Sequence, residues 1–303
     1  MGSKFVLIGG TPRSGTNLAR RIIGSHSKIA VPPAEFNFFN QHRNGRSVRE
    51  ILSAEPLKCW EVDLSDLYSR PYREAFIAAL IRYAESLGKE IPGEKTPYNE
   101  FYYETIRAWL EGFDLRFVHL VRNPFDVIAS YKHAPFRGAE RHKRYDVAAL
   151  CRNWVRSVSI GLARAHADPE VYCLVKYEDL TTDPAGTTER LCAFLGVEFE
   201  PERMLNLADY RGYADNTSFP QDPASQSGEH SPIHRPRSRK GYLTRSEVRT
   251  VSALCGELAH ALGYEDADFH PAPPEPVGMS LRKRVRRTIR RRLVQYLHSP
   301  LRP

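Results

Sequence analysis

The chain has 303 residues, of which 41% are hydrophobic and 26% are charged, so it can bury a full core and is neither disordered nor collagen-like. Its net charge of +8 comes from residues 271–303, which hold nine basic residues and one acidic residue. Residues 1–270 are neutral overall, and the basic composition therefore does not indicate a nucleic-acid-binding protein. Five cysteines without C-x-x-C or metal-ligand spacing exclude a disulfide scaffold and a zinc ribbon, and they predict a reducing, cytoplasmic compartment.

Strand-like apolar runs alternate with helical stretches along residues 1–270, which predicts βαβ units and a parallel sheet. Buried strands are expected at 5–8, 116–121 and 171–175, and a short strand at 29–31. The first helix is expected to begin near residue 16, and further helices to span 72–87, 99–109, 125–132, 146–167, 184–195 and 246–262. The apolar runs are far shorter than the roughly 20 residues that a membrane-spanning helix needs.

Residues 271–303 begin with a Pro-rich linker and continue as a basic segment. A helix in this segment would align five apolar residues on one stripe, surrounded by basic ones: Leu281, Val285, Ile289, Leu293 and Leu297. This pattern is typical of a helix that lies on an anionic membrane surface. Docking of the same helix on the protein's own body, or on a second copy, is an equal alternative.

A glycine-rich loop separates the first strand from the first helix. Gly10 and Gly15 have the spacing of a Walker-type phosphate loop, whose backbone N–H groups form a cradle for an anion. Thr16 and Asn17 stand where an ATPase or GTPase has lysine and a hydroxyl residue, and no predicted strand ends in the acidic residue of a magnesium site. The loop predicts a phosphate site without a magnesium-bound triphosphate; a plain strand–turn–helix junction is the alternative.

An arginine and a serine follow the strand at 116–121. Arg122 ends this strand, and Ser130 lies two turns along the next predicted helix. Ligands of open parallel sheets bind beyond the carboxyl ends of the strands, and a guanidinium group can hold a phosphate through two hydrogen bonds. The pair predicts a second phosphate site. The alternatives are a surface arginine paired with Asp126 and an ordinary helix serine.

Four ordered motifs resemble those of the sulfotransferases that use 3′-phosphoadenylyl sulfate (PAPS), in the style of the tyrosylprotein and bacterial members. They are TPRSGT at 11–16, VRNPFD at 121–126 with Ser130, YEDL at 177–180 followed by DP and FLG, and RKG at 239–241 before the last helix. The resemblance implies a P-loop-NTPase-like α/β fold, with a sulfotransferase domain at 1–270 and the linker and tail at 271–303. It also implies sulfuryl transfer from PAPS, without a metal, to a hydroxyl or amine of a small-molecule, sugar or lipid-linked acceptor.

The resemblance further implies which residues contact PAPS. The first motif would hold the 5′-phosphosulfate through Arg13, Ser14, Gly15, Thr16 and Asn17. The second would hold the 3′-phosphate through Arg122 and Ser130. Tyr177 would be another contact, although core packing explains it nearly as well, and the clamp would be Arg239, Lys240 and Gly241.

The catalytic roles also follow from the resemblance. Glu35 would be the general base, while Lys95 and Arg13 would stabilise the leaving phosphate and Ser218 would touch the transferring sulfonate. For Glu35 the alternative is a charge at a helix N-terminus, and for Lys95 a solvated lysine. His133 is the rival base.

The sequence also predicts the place of His119 and the segments that contact the acceptor. His119 lies inside a strand, so we expect it to be a core residue or to act behind the site. The acceptor is expected to contact residues 36–46, 132–145 and 213–240, where aromatic and basic residues mix. A P-loop kinase and a non-catalytic adaptor for a membrane or an anionic partner are the alternative functions.

Overall fold

The structure, a computed structural model, describes residues 3–134, 145–207 and 238–264. Ser218, the tail at 271–303 and most of the 213–240 stretch lie outside the described residues, so their predicted roles stay predictions. The proposed clamp residues Arg239, Lys240 and Gly241 lie inside them.

Five parallel strands form one sheet in the order β2-β3-β1-β4-β5. Their bounds are Lys4–Gly10 (β1), Ile29–Ala30 (β2), Ile91–Lys95 (β3), Asp114–Val121 (β4) and Tyr172–Lys176 (β5). The predicted α/β fold with a parallel sheet is confirmed. Because the strands are parallel, the segments that follow β1, β3, β4 and β5 all leave from the same edge of the sheet.

The sequence-based prediction missed β3, the strand between β1 and β2. Its sequence, Ile-Pro-Gly-Glu-Lys, is neither an apolar run nor an alternating pattern. Gly93 allows the strand to pack closely, because a Cβ there would lie 2.8 Å from the carbonyl oxygen of Val6. All five residues are buried, including Glu94 and Lys95. The strand therefore carries two charged side chains into the interior beside β1.

Helices flank the sheet. They are α1 (Thr16–Ser25), α2 (Phe38–Arg43), α3 (Val48–Leu52), α4 (Tyr72–Ser86), α5 (Tyr103–Trp109), α6 (Pro124–Lys132), α7 (Val147–Ala167), α8 (Tyr177–Thr182), α9 (Pro184–Leu195), α10 (Pro201–Met204) and α11 (Arg245–Ala261). The predicted helix at 99–109 is a 3₁₀ turn, Asn99–Tyr102, followed by α5. The remaining predicted helices are confirmed within a few residues.

Local chemistry fixes where α6 and α11 begin. Pro124 takes the first position of α6, where its missing N–H costs nothing, and the Asn123 side chain accepts a hydrogen bond from Phe125 N at 2.9 Å. Thr244 and Glu247 form a reciprocal capping box at the start of α11. These caps therefore determine the first residues of the helices that follow Asn123 and Thr244.

Alternate residues of β1 pack into different cores. Phe5 and Leu7 belong to a cluster rich in aromatic residues, whereas Val6 and Ile8 pack with residues of α1 and α9. Burial on both faces explains the unbroken apolar run in the sequence. A third cluster joins the end of β4 to α6, α7 and α11. None of the helices within 3–134, 145–207 and 238–264 is long and apolar enough to cross a membrane.

Candidate functional site

The glycine-rich loop turns sharply between β1 and α1. Gly10, Arg13 and Gly15 have φ angles of 127°, 74° and 93°, in the left-handed region that glycine adopts readily and arginine seldom does. Ser14 N donates to the carbonyl oxygen of Thr11 at 3.1 Å, and the hydroxyl groups of these two residues hydrogen-bond each other. The loop leads into the N-terminus of α1, where amide groups without helical partners attract an anion.

Arg122 lies against this loop at the end of β4. Its guanidinium carbon is 4.1 Å from the centroid of the Tyr177 ring, and Nη1 donates to the carbonyl oxygen of Arg13 at 3.3 Å. Tyr177 in turn covers Gly15, where a Cβ would lie 2.2 Å from the ring. Arg122 is 8% exposed, and its Nε is buried without a hydrogen-bond partner. A buried cationic donor left open in this way fits an anionic ligand.

Arg13 and Ser130 complete a cationic cluster. Arg13 Nε donates to Ser130 Oγ at 3.0 Å, which joins the loop to α6. Burial, together with the positive charges of Arg122 and Arg239, lowers the pKa of Arg13 to about 10. Guanidinium groups that repel one another in this way are stabilised when a phosphate lies between them. Arg13 was predicted from the first motif, and Arg122 and Ser130 from the second. The structure brings these three residues together.

Glu35 and Lys95 form an ion pair on the β3 side of the loop. Lys95 Nζ donates to Glu35 Oε1 at 2.6 Å. The Lys95 side chain is 2% exposed and that of Glu35 is 41% exposed, so the Glu35 side chain is partly open to solvent while the ammonium group lies inside. Burial lowers the pKa of Lys95, although the Glu35 carboxylate opposes this shift. The alternative of a solvated lysine is wrong.

Two of the three predicted clamp residues, Arg239 and Lys240, contact α6. Arg239 N donates to Asp126 Oδ1 at 2.7 Å, and Lys240 Nζ lies 5.0 Å from the centroid of the Phe125 ring. Gly241 is exposed.

The alternative of a surface arginine at 122 is also wrong, because Arg122 is buried against Tyr177 and the loop.

Glu178 is a structural contact that the sequence reading did not single out. Its carboxylate accepts from Asn123 N and from the Tyr264 hydroxyl, both at 2.9 Å. Trp154 Nε1 donates to the carbonyl oxygen of Arg122 at 2.9 Å. These bonds hold the turn between β4 and α6, and with it the backbone that carries Arg122.

The sulfotransferase family model matches residues 6–201, which include the loop, Glu35, Lys95, Arg122, Ser130 and Tyr177. The chain belongs to the sulfotransferase family.

Individual relatives match this chain over parts of their length. A flavonol 3-sulfotransferase from Flaveria bidentis is 26% identical over 190 residues, which are 54% of this chain and 61% of that protein. Carbohydrate sulfotransferase 1 from Homo sapiens is 32% identical over 111 residues, which are 31% of this chain and 27% of that protein. The chain therefore spans less than two thirds of the length of these relatives.

Solved structures share the fold of this chain. The sulfotransferase domain from the curacin biosynthetic pathway has a TM-score of 0.55 at 22% identity, covering 87% of this chain and 98% of that domain. The sulfotransferase domain of the Synechococcus PCC 7002 olefin synthase has a TM-score of 0.50 at 18% identity, covering 99% and 96%. At these identities the likeness shows the fold alone.

The aromatic residues after Glu35 are core residues rather than an acceptor surface. Phe36, Phe38 and Phe39 are 0%, 1% and 2% exposed. Their rings contact one another and those of Trp60, Phe76 and Trp109. The expectation that these phenylalanines contact the acceptor is therefore wrong, because their apolar rings are more stable inside than at a polar site.

His119 is a core residue, as expected. Its Nδ1 lies 2.6 Å from the Tyr172 hydroxyl and its Nε2 lies 3.0 Å from Ser157 Oγ. Burial lowers the pKa of His119 to about 3, so the ring is neutral. Ser157 also binds the buried Glu100, whose other oxygen accepts from Gly10 N at 2.7 Å. This network supports the start of the phosphate loop from behind.

His133, the rival base, follows α6. Its ring lies 5.5 Å from the Tyr242 ring, just after the clamp. Glu35, by contrast, lies beside Lys95, one of the predicted leaving-group contacts.

Glu94 is a buried carboxyl group that the sequence reading missed together with its strand. It is 2% exposed, and its oxygens accept from the side-chain amide of Asn99 and, at 3.0 Å, from the Thr96 hydroxyl. Glu94 is the penultimate residue of β3, which ends at Lys95. Burial raises the pKa of Glu94 from its ordinary value of 4.5 to about 7, although both hydrogen bonds oppose the shift.

Replacing Glu94 by glutamine should change how stability depends on pH. Between pH 4.5 and about 7 the folded protein keeps the Glu94 proton while the unfolded chain releases it, so wild-type stability falls as the pH rises. The unfolding free energy of Glu94→Gln minus that of wild type should therefore increase by on the order of 3 kcal/mol from pH 4 to pH 8. Urea unfolding at these two pH values measures it.

The matched control is Glu85→Gln, at an exposed position of α4. It should show no such increase. A Glu94→Gln difference that stays constant between pH 4 and pH 8 would contradict the raised pKa.

Proposed function

We propose that this sulfotransferase moves a sulfuryl group from PAPS to a hydroxyl or amine of an acceptor. The observation that carries the proposal is the buried Arg122, whose Nε has no partner, beside a glycine-rich loop whose Arg13 donates to Ser130 of α6. A nucleotide with phosphates at its 3′ and 5′ positions would satisfy both groups of donors at once.

The donor would be held by groups from several strand ends. Residues 13–17 would bind the 5′-phosphosulfate at the N-terminus of α1. Arg122 and Ser130 would bind the 3′-phosphate, and Tyr177 fixes the distance between the two sites because it packs on both Gly15 and Arg122. Arg239, Lys240 and Gly241 would close over the nucleotide from the α11 side.

Glu35 and Lys95 would carry the chemistry. The acceptor hydroxyl must lose its proton as its oxygen bonds to sulfur, and the partly exposed Glu35 side chain would take that proton. The bond from sulfur to the bridging oxygen breaks, and the charge that develops on the leaving phosphate would be stabilised by Lys95 and Arg13. Ser218, outside the described residues, would contact the transferring sulfonate. Fixed cations would do the work that magnesium does in a kinase, so no metal is required.

The acceptor class remains broad: a small molecule, a sugar or a lipid-linked molecule with a free hydroxyl. Cytoplasmic location, peripheral attachment of the tail to a membrane and docking of the tail on protein stay predictions from the sequence. No observation on the described residues favours a kinase or an adaptor.

Transfer from labelled PAPS to a panel of phenols, sugars and lipid-linked alcohols tests the function. We expect sulfuryl transfer that is unchanged by EDTA, and binding of 3′-phosphoadenosine 5′-phosphate (PAP) in calorimetry. Absence of PAP binding, or magnesium-dependent phosphoryl transfer from ATP, would overturn the proposal in favour of a kinase or an adaptor.

A further inference from the structure

The segment that carries Glu35 has little regular structure of its own. It runs from the end of β2 at Ala30 to the start of α2 at Phe38. Pro32 and Pro33 supply no N–H groups, so few backbone hydrogen bonds can fix it. Its carboxylate must nevertheless hold one position if it is to remove a proton, because a misplacement of about 1 Å can cost about 10²-fold in rate.

Two buried side chains hold the backbone on either side of Glu35. Before it, Arg20 Nη1 donates to the carbonyl oxygen of Pro32 at 3.4 Å. After it, Asn37 N donates to Thr96 Oγ1 at 3.0 Å. Asn37 has a φ of 55°, a left-handed conformation that persists where surrounding contacts hold it. The hydrogen bond to Thr96 is shorter than the one from Arg20, and Thr96 is the residue next to Lys95.

The Thr96 hydroxyl both donates and accepts a hydrogen bond. Thr96 is 4% exposed, its proton goes to Glu94 Oε2 at 3.0 Å, and its oxygen accepts from Asn37 N. The other Glu94 oxygen accepts from the Asn99 side chain, so the carboxyl group is itself held in place. The hydroxyl thus links the rigid end of β3 to the irregular segment at Glu35.

We propose that Thr96 is a positioning residue for sulfuryl transfer: its hydroxyl bridges Glu94 to the Asn37 backbone and so fixes the Glu35 carboxylate beside Lys95. Adjacent residues of one chain segment hold Glu35 itself, through Lys95, and the backbone two residues later, through Thr96. Because the Glu35 side chain is held by Lys95 and the backbone at Asn37 is held by Thr96, both the position and the direction of the Glu35 carboxylate are restricted. This proposal rests on the role of Glu35 as the general base.

Valine is the matched replacement, because it keeps the shape of threonine but has no hydroxyl. In Thr96→Val the partly buried Asn37 N–H and one Glu94 oxygen would lose their partner. Thr96→Ser keeps the hydroxyl and loses a methyl group. We expect Thr96→Val to lower kcat by between about 10- and 100-fold, with the PAP dissociation constant unchanged, and Thr96→Ser to stay within a few-fold of wild type.

A double-mutant cycle with Glu35→Gln separates positioning from general damage to the fold. If Thr96 acts through Glu35, Thr96→Val should cost almost nothing further once Glu35 is glutamine. The assay uses labelled PAPS and the acceptor with the highest rate in the panel above. Full additivity of the two losses, or wild-type turnover in Thr96→Val while Glu35→Gln is impaired, would overturn the positioning role and leave the base intact. An unimpaired Glu35→Gln would remove the base and this proposal together.

Hydrogen exchange gives a second readout that needs no acceptor. Amides in residues 34–39 should exchange at least several-fold faster in Thr96→Val than in wild type, whereas Thr96→Ser should match wild type. Unchanged exchange in Thr96→Val would overturn the proposal. If the valine variant does not fold, Thr96→Ala enters the same cycle, since it also removes the hydroxyl.

Discussion

Replacing Glu35 by glutamine should lower turnover by at least about 10²-fold while leaving PAP affinity unchanged. Glutamine is nearly isosteric and can still accept a hydrogen bond from Lys95 Nζ, which lies 2.6 Å from Oε1 of Glu35 in the structure. It cannot take the proton of an acceptor hydroxyl, and a placed base contributes about 10²–10⁴-fold. Steady-state rates with labelled PAPS, together with calorimetry of PAP binding, measure the two quantities separately.

His133→Ala is the control for this prediction, because His133 is the rival base and its ring lies against Tyr242 near the clamp. Its turnover should fall much less than that of Glu35→Gln. If Glu35→Gln keeps turnover within a few-fold while His133→Ala abolishes it, the base is the histidine and the assignment of Glu35 is wrong.

Replacing Arg122 by alanine should weaken PAP binding by about 2–5 kcal/mol, because a phosphate would lose a buried charged partner. The guanidinium carbon is 4.1 Å from the Tyr177 ring, which holds the group flat and buried at the end of β4. Ser130→Ala removes one neutral donor and should cost nearer about 1 kcal/mol. Isothermal calorimetry with PAP gives both values.

Arg116→Ala is a matched control on the same strand. Arg116 lies near the beginning of β4 and is occupied by Asp114 and the carbonyl oxygen of Glu170. Because it is at the opposite end of the strand from Arg122, its loss should leave PAP affinity unchanged. Equal affinities for Arg122→Ala and wild type would remove the 3′-phosphate assignment.

Elements with a local signal could be predicted from the sequence. The apolar run of β1 followed by two glycines predicted a buried strand that ends in a tight glycine-rich loop, and the structure has both. Phosphate binding by that loop stays a prediction. The Asn123-Pro124 start of α6 was equally clear, because capping and proline preferences act within a few residues. Arg122 and Ser130 could be named as candidates since the strand and the helix that carry them were predicted correctly.

The strand β3 could not be predicted, and much of the candidate site depends on it. Proline, glycine, glutamate and lysine disfavour a strand locally, yet β1 and β2 pair with these residues on either side. Gly93 fits against Val6, and Lys95 is buried because Glu35, 60 residues earlier in the chain, supplies the opposite charge. Burial of a charged group depends on partners that local periodicity does not reveal.

The sequence by itself determined the α/β class, the glycine-rich loop after β1 and the family. The tertiary structure decided which charged residues are buried and which side chains meet. Phe36 lies in the core although it follows the candidate base directly, and Thr96 joins Glu94 to Asn37 across segments that no motif connects. The reason is that caps, turns and apolar runs are set by neighbours along the chain, whereas ion pairs and buried hydroxyl bridges form only when the sheet brings distant segments together.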